Sequence, residues 1–129
     1  MKIRCERTSF TGLSTRTQDL FGYGADKGLA GDVLGRDFVV IAIGFWEDSL
    51  WYYIQLDEEL LPVPAALFSV IEGRLPEDWM TCSSRRGGEF AWYACPSQLM
   101  VPTFNVFYSD LVDGKSDAHR LLNDVVARA

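Results

Sequence analysis

FVVIAIGFWEDSLWYYIQLDEELLPVP, residues 38–64, decides the fold. Phe38 to Phe45 run apolar and largely β-branched without a polar break, the pattern of a strand covered on both faces. WEDS (46–49) is a polar turn, and LWYYIQL (50–56) reads as the returning strand. Placing Phe45 opposite Leu50 sets the register. Ile43 then faces Tyr52 and Ile41 faces Ile54 on one side, while Ala42 faces Tyr53 and Val40 faces Gln55 on the other. The first side is core. The second continues to Trp51 and Asp57, half apolar and half polar, and either a helix or a partner can cover it.

Downstream, Pro62 and Pro64 break the chain after the hairpin. LFSVI (67–71) reads as a strand closed by the turn Glu72-Gly73-Arg74. WMTCSS (79–84), the turn RRGG (85–88) and EFAWYAC (89–95) form a second hairpin. With Glu89 opposite Arg86, Cys82 faces Tyr93 and Cys95 faces Met80, so the two thiols are offset by one pair and poorly placed for a disulfide. Upstream, MKIRCE alternates Ile3 and Cys5 against charged neighbours, a short strand with one buried face. Residues 8–36, with six glycines, read as loop with a turn or two of helix around Thr15–Phe21. That is long for a structureless connection.

Near residue 103 the period changes. Phe104, Phe107, Tyr108 and Leu111 recur at helical spacing between Thr103 and Gly114, and Ser116 suits the N-cap of a second helix carrying Leu121, Leu122, Val125 and Val126. Strands first and helices last predict one α+β domain over residues 1–129: an antiparallel sheet built from hairpins with C-terminal helices packed on one face.

Charge is distributed unevenly over the 129 residues. Residues 1–36 carry six basic and four acidic groups; residues 37–72 carry seven acidic and no basic; residues 73–129 carry six basic and seven acidic. The middle third therefore accounts for the whole imbalance of −6. Phosphate-backbone binding needs clustered cations, and the one adjacent basic pair is Arg85-Arg86, so nucleic acid is not expected as a partner. A basic protein suits the acidic third better. No apolar run approaches the roughly 18–20 residues of a membrane span, and no apolar segment follows the charged start. With three cysteines, an odd number, a disulfide framework is not expected. These features predict a cytoplasmic protein without membrane contact.

Catalytic signatures are weak. His119, the single histidine, falls on the last predicted helix, whereas Cys5, Cys82 and Cys95 fall on strands; a nucleophilic pair needs the two within hydrogen-bond reach. No metal-ligand spacing occurs, and Asp57-Glu58-Glu59 lacks the alternation of a calcium loop. GYGADKG (22–28) inverts the Gly-Lys order of a phosphate loop. Glu47 or Asp48 could pair with Glu58 across a cleft, with Trp51 as a sugar platform, as a small hydrolase or carbohydrate-binding domain would use them. The expectation is no enzyme activity, no cofactor and no metal. Aromatic anchors beside unneutralised acid point instead to a protein-binding segment made of Trp46, Glu47, Asp48, Trp51, Tyr53, Asp57, Glu58 and Glu59.

The order LGRDFVVIAI (34–43), LWYYIQLD (50–57), LPVPAALFSVIEGRLPEDW (61–79), FAWYACP (90–96) and LVDG (111–114) resembles small immunity proteins of bacterial polymorphic-toxin systems, including contact-dependent growth inhibition and Rhs or type VI cassettes. The shared pattern is a Gly-basic-x-aromatic strand opening, a Pro-x-Pro before Leu-Phe, and a Leu-Pro-x-x-Trp. The resemblance implies a cytosolic, non-catalytic protein that binds the C-terminal domain of one cognate toxin, commonly a basic nuclease, and blocks its active site or substrate surface. It carries over no fixed contact residues.

Overall fold

A computed structural model describes residues 1–15, 17, 28–46, 49–86, 89–100 and 103–128. The strands are β1 (Lys2–Cys5), β2 (Asp37–Val39), β3 (Ala42–Trp46), β4 (Ser49–Leu56), β5 (Glu59–Pro64), β6 (Phe68–Glu72), β7 (Trp79–Arg86) and β8 (Glu89–Pro96). Two helices follow, α1 (Phe104–Val112) and α2 (Ser116–Arg128). The fold is α+β, with strands in antiparallel sheets of order β2-β1-β6 and β5-β4-β3-β8-β7.

The register read for the second hairpin is present, and that of the first holds from Ala42 to Phe45, whereas the expected Ile41–Ile54 and Val40–Gln55 pairs do not form: Ile41 packs with Tyr53 and Val40 with Ile54. Phe45 pairs Leu50, Ile43 pairs Tyr52 and Ala42 pairs Tyr53. Arg86 pairs Glu89, Cys82 pairs Tyr93 and Met80 pairs Cys95. All three cysteines are free.

Phe38–Phe45 is not one strand. β2 belongs to the small sheet and β3 to the large one, and the chain crosses between them at Val40 and Ile41. Neighbouring amides bond in opposite directions there: Val40 N–H donates to the Met1 carbonyl at 3.0 Å and Ile41 N–H to the Tyr53 carbonyl at 2.9 Å. An apolar run belonging to two packed sheets looks the same in sequence as one strand buried on both faces.

Pro62 and Pro64 do not end the hairpin either. They lie inside β5, opposite Tyr53 and Trp51. The β4–β5 turn has two residues, so Leu56 and Glu59 form a hydrogen-bonded pair and every second pair outward is non-bonded. Both prolines fall on the non-bonded positions, where the missing N–H would have pointed away from β4 and made no bond in the sheet. They also blunt an edge strand that could otherwise recruit another chain.

The large sheet has a different cover on each face. Trp51, Tyr53, Ala42, Tyr93 and Cys95 join Phe104, Phe107 and Leu111 of α1, Leu122 and Val125 of α2, and Phe10 and Leu13 in one core. Tyr52, Ile54 and Val63, on the other face, pack with Ile3, Cys5, Phe38 and Val40 of the small sheet. The result is helices, large sheet and small sheet in three layers.

The helices start and stop for local reasons. Thr103 Oγ1 accepts from Val106 N–H at 3.4 Å, an N-cap. α1 ends in a Schellman motif: Gly114, at φ +78°, donates to the Leu111 carbonyl and Lys115 N–H to the Asp110 carbonyl. Ser116 is the first residue of α2 rather than its cap; the Lys115 carbonyl accepts from His119 N–H. Within residues 8–36, Gly31–Val33 forms a 3-10 turn, and Ser9 bridges Gly28. Thr15 and Thr17 are helical, and the rest of the helix expected around Thr15–Phe21 lies outside the described residues, as does most of GYGADKG.

Candidate functional site

The eight residues expected to bind a partner do not form one surface. Trp51 and Tyr53 are core residues, 3% and 6% exposed. Tyr53 meets Phe104 edge-on, ring centres 4.9 Å apart, and Tyr108 at 5.2 Å; Trp51 meets Tyr93 at 6.3 Å. The half-apolar face therefore lies under α1, which corrects their assignment to a contact surface. Trp46 is half-buried and packs against the same core. Glu47 and Asp48 lie outside the described residues.

Asp57, Glu58 and Glu59 are exposed. Asp57, at φ +50°, and Glu58, at φ +68°, form the β4–β5 turn, and Glu59 opens β5. Two central residues of positive φ define a type I′ turn, which normally takes Asn-Gly. A side chain with a Cβ costs about 1 kcal/mol in that region.

β4 runs the length of the sheet, and at the rise of a strand its first residue, Ser49, lies about 25 Å from Asp57. A glycosidase pair needs about 5–10 Å; Glu47 and Asp48, the partners weighed for Glu58, lie outside the described residues. Trp51, buried, is no sugar platform. The acid of the middle third is scattered further: Asp37 is bound by Arg4, whose Nε and Nη2 donate to its two carboxylate oxygens at 2.8 and 3.1 Å. That guanidinium holds the Asp37 carboxyl below its usual range.

Two of the three thiols, Cys5 and Cys95, are disfavoured as thiolates by burial. Burial pushes the Cys5 thiol up, and burial followed by the nearby Cys82 pushes Cys95 up to about 12. His119 is exposed. No group of three or more His, Cys, Asp or Glu placed to hold a metal occurs among the described residues. No helix among them is long and apolar enough to cross a membrane.

The sequence did not single out a contiguous row of exposed apolar side chains on the large sheet. Phe45 pairs Leu50 on one side and Trp92 on the other. These three side chains form a row across β4, β3 and β8, on the face opposite Trp51, and are 43%, 40% and 53% exposed. The small sheet covers Tyr52 and Ile54 on that face but stops short of the row. Exposed large apolar residues in the middle of a sheet are informative where they are contiguous. The row lies at the end of β4 that begins at Ser49, and the uniformly acidic turn stands at the opposite end.

A relay of hydroxyls lies on the helix-side face. Ser49, 1% exposed, hydrogen-bonds Thr17 through their side-chain oxygens at 2.9 Å, and Thr17 does the same with Ser14 at 2.8 Å. This relay fixes the Thr-rich segment against the β3–β4 hairpin. It leaves the Phe45 row untouched, because Ser49 and Leu50 point to opposite faces.

No family model, curated protein or solved structure matches this chain.

Proposed function

We propose that this protein is a non-catalytic binding module of the immunity type, which neutralises a basic toxin domain by covering its active site or substrate surface. The observation that carries this reading is the Leu50–Phe45–Trp92 row. Aromatic side chains on a rigid sheet are the anchors from which protein interfaces gain most of their affinity. Backbone hydrogen bonds on both sides hold Phe45 and its strand in place, so little ordering cost accompanies docking.

The acidic turn supplies the second element. Asp57 and Glu58 adopt backbone angles that Asn-Gly would take without strain. Carboxylates kept at a strained exposed turn fit a role in attracting positive charge. With the apolar row at one end of β4 and the acid at the other, a basic partner would be steered by the turn and held by the row.

The test is co-expression with the protein encoded immediately upstream. Rescue from that protein's toxicity, and co-purification with its C-terminal domain, are the expected results. Full toxicity in the presence of folded, soluble protein would reject the reading for that pair.

A further inference from the structure

A cleft of about 450 Å³ opens where the two sheets meet α2. Its volume lies within the range of small-molecule pockets, about 300–1,000 Å³. Val40 and Ile41, at the crossing between sheets, and Val125 of α2 supply apolar lining; Trp79 and Pro96, at the paired ends of β7 and β8, supply a wall. The lining is tied by backbone bonds: Val40 N–H to the Met1 carbonyl and Ser97 N–H to the Asp78 carbonyl, both 3.0 Å. These bonds hold the strand ends that line it; Arg74, Pro76 and Asp78 come from the connection between β6 and β7.

The charges around it run against the protein's overall sign. Lys2, Arg74 and Arg128 come from three distant parts of the chain and converge on the cleft, with Glu72 and Asp78 as the opposing acids. The side chains of Lys2 and Arg74 make no ion pair or hydrogen bond among the described residues. The acids are better placed to be satisfied. With the Gln98 amide nitrogen facing Asp78, it donates to Oδ2 at 3.1 Å, and the Gln98 oxygen accepts from Arg128 Nη1 at 3.0 Å. Glu72 sits in register with Lys2 across β1 and β6. Three cations therefore overlook an apolar cavity beside an indole: Lys2, which sits opposite Glu72 and also acts on Asp37; Arg74; and Arg128, held in place by Gln98. In a protein of net charge −6, this is the chemistry of an anion site with a hydrophobic interior.

We propose that the cleft bounded by Lys2, Arg74, Arg128 and Trp79 binds a small amphipathic anion. Its carboxylate or comparable head group meets the guanidinium groups, and a short apolar tail or ring lies against Val40, Val125 and Trp79. Bidentate geometry makes arginine the natural partner for such a head. The site is on a different part of the molecule from the Leu50–Phe45–Trp92 row and does not depend on the binding reading above.

The experiment is an NMR titration of the full chain with octanoate, and in parallel with octylamine, which has the same tail and the opposite charge. Octanoate should produce saturable shifts at Val40, Val125 and the Trp79 indole, and octylamine should not. Arg74→Glu combined with Arg128→Glu should weaken octanoate binding at least tenfold. Both positions are exposed; if the double change unfolds the protein, Arg74→Gln alone should still weaken binding measurably. Equal binding of octylamine, octanoate affinity unchanged by these substitutions, or shifts centred on Phe45, Leu50 and Trp92 would each overturn the proposal.

Discussion

The indole of Trp51 lies directly over Gly44, its cross-strand partner, so closely that a Cβ on residue 44 would fall within the ring. Glycine here is a matter of space. The large sheet accommodates Trp51 and Tyr53 on its helix-covered face because the strand opposite supplies Gly44 and Ala42. Gly44→Ala should therefore displace the indole into the α1 interface and destabilise the protein by about 2 kcal/mol. Denaturant unfolding measures the loss, and the Trp51 contribution to near-ultraviolet circular dichroism should change with it.

The β4–β5 turn offers the opposite result. Asp57→Asn with Glu58→Gly places the preferred residues at φ +50° and +68°. Stability should rise by about 1 kcal/mol, read as a higher denaturation midpoint at unchanged slope. An unchanged midpoint would mean that the turn is relaxed with its native acids.

Charge reversal at the same turn tests steering. Glu58→Lys with Glu59→Lys should slow association with a basic partner roughly tenfold at low salt, flatten the salt dependence, and leave dissociation almost unaltered. Stopped-flow association at two ionic strengths separates these effects.

Alkaline pH probes the buried thiol. Burial raises the Cys95 pKa from an ordinary value of 9.0 to about 12 in the folded protein. The unfolded chain thus loses this proton first. The stability linked to it is fully present below pH 9 and is lost as pH rises through about 12. Tyr52, also raised by burial, acts in the same direction. Cys95→Ala should flatten the decline in unfolding midpoint between pH 9 and 11, and Cys5 and Cys95 should resist alkylation until the protein unfolds.

Sequence reading succeeded where local pattern determines structure. Alternation, turn residues and the shift to helical spacing placed both hairpins, their registers from Ala42 onward, and both helices. It failed where the decisive fact is tertiary. Pro62 and Pro64 stop a central strand but suit an edge strand, and edge status depends on what fails to pair beside it. Val40 and Ile41 look continuous with their neighbours, yet their amides serve different sheets. Phe45, Leu50 and Trp92 have the composition of core, and they stay exposed because the small sheet ends before reaching them. Trp51 and Tyr53 present the reverse case: they resemble interface anchors and are covered by α1. Only the alternation between faces was available in the sequence, and it left open which half of each face would be covered.

The central claim is that the Leu50–Phe45–Trp92 row holds the partner. Its most direct test is the affinity of the Phe45→Ser, Trp92→Ser double variant for the upstream-encoded toxin domain, measured by calorimetry beside the wild-type protein. Two exposed anchors worth about 2 kcal/mol each predict at least a hundredfold weaker binding with an unfolding midpoint close to wild type. A folded double variant that binds with wild-type affinity would contradict the claim and move the interface elsewhere on the molecule.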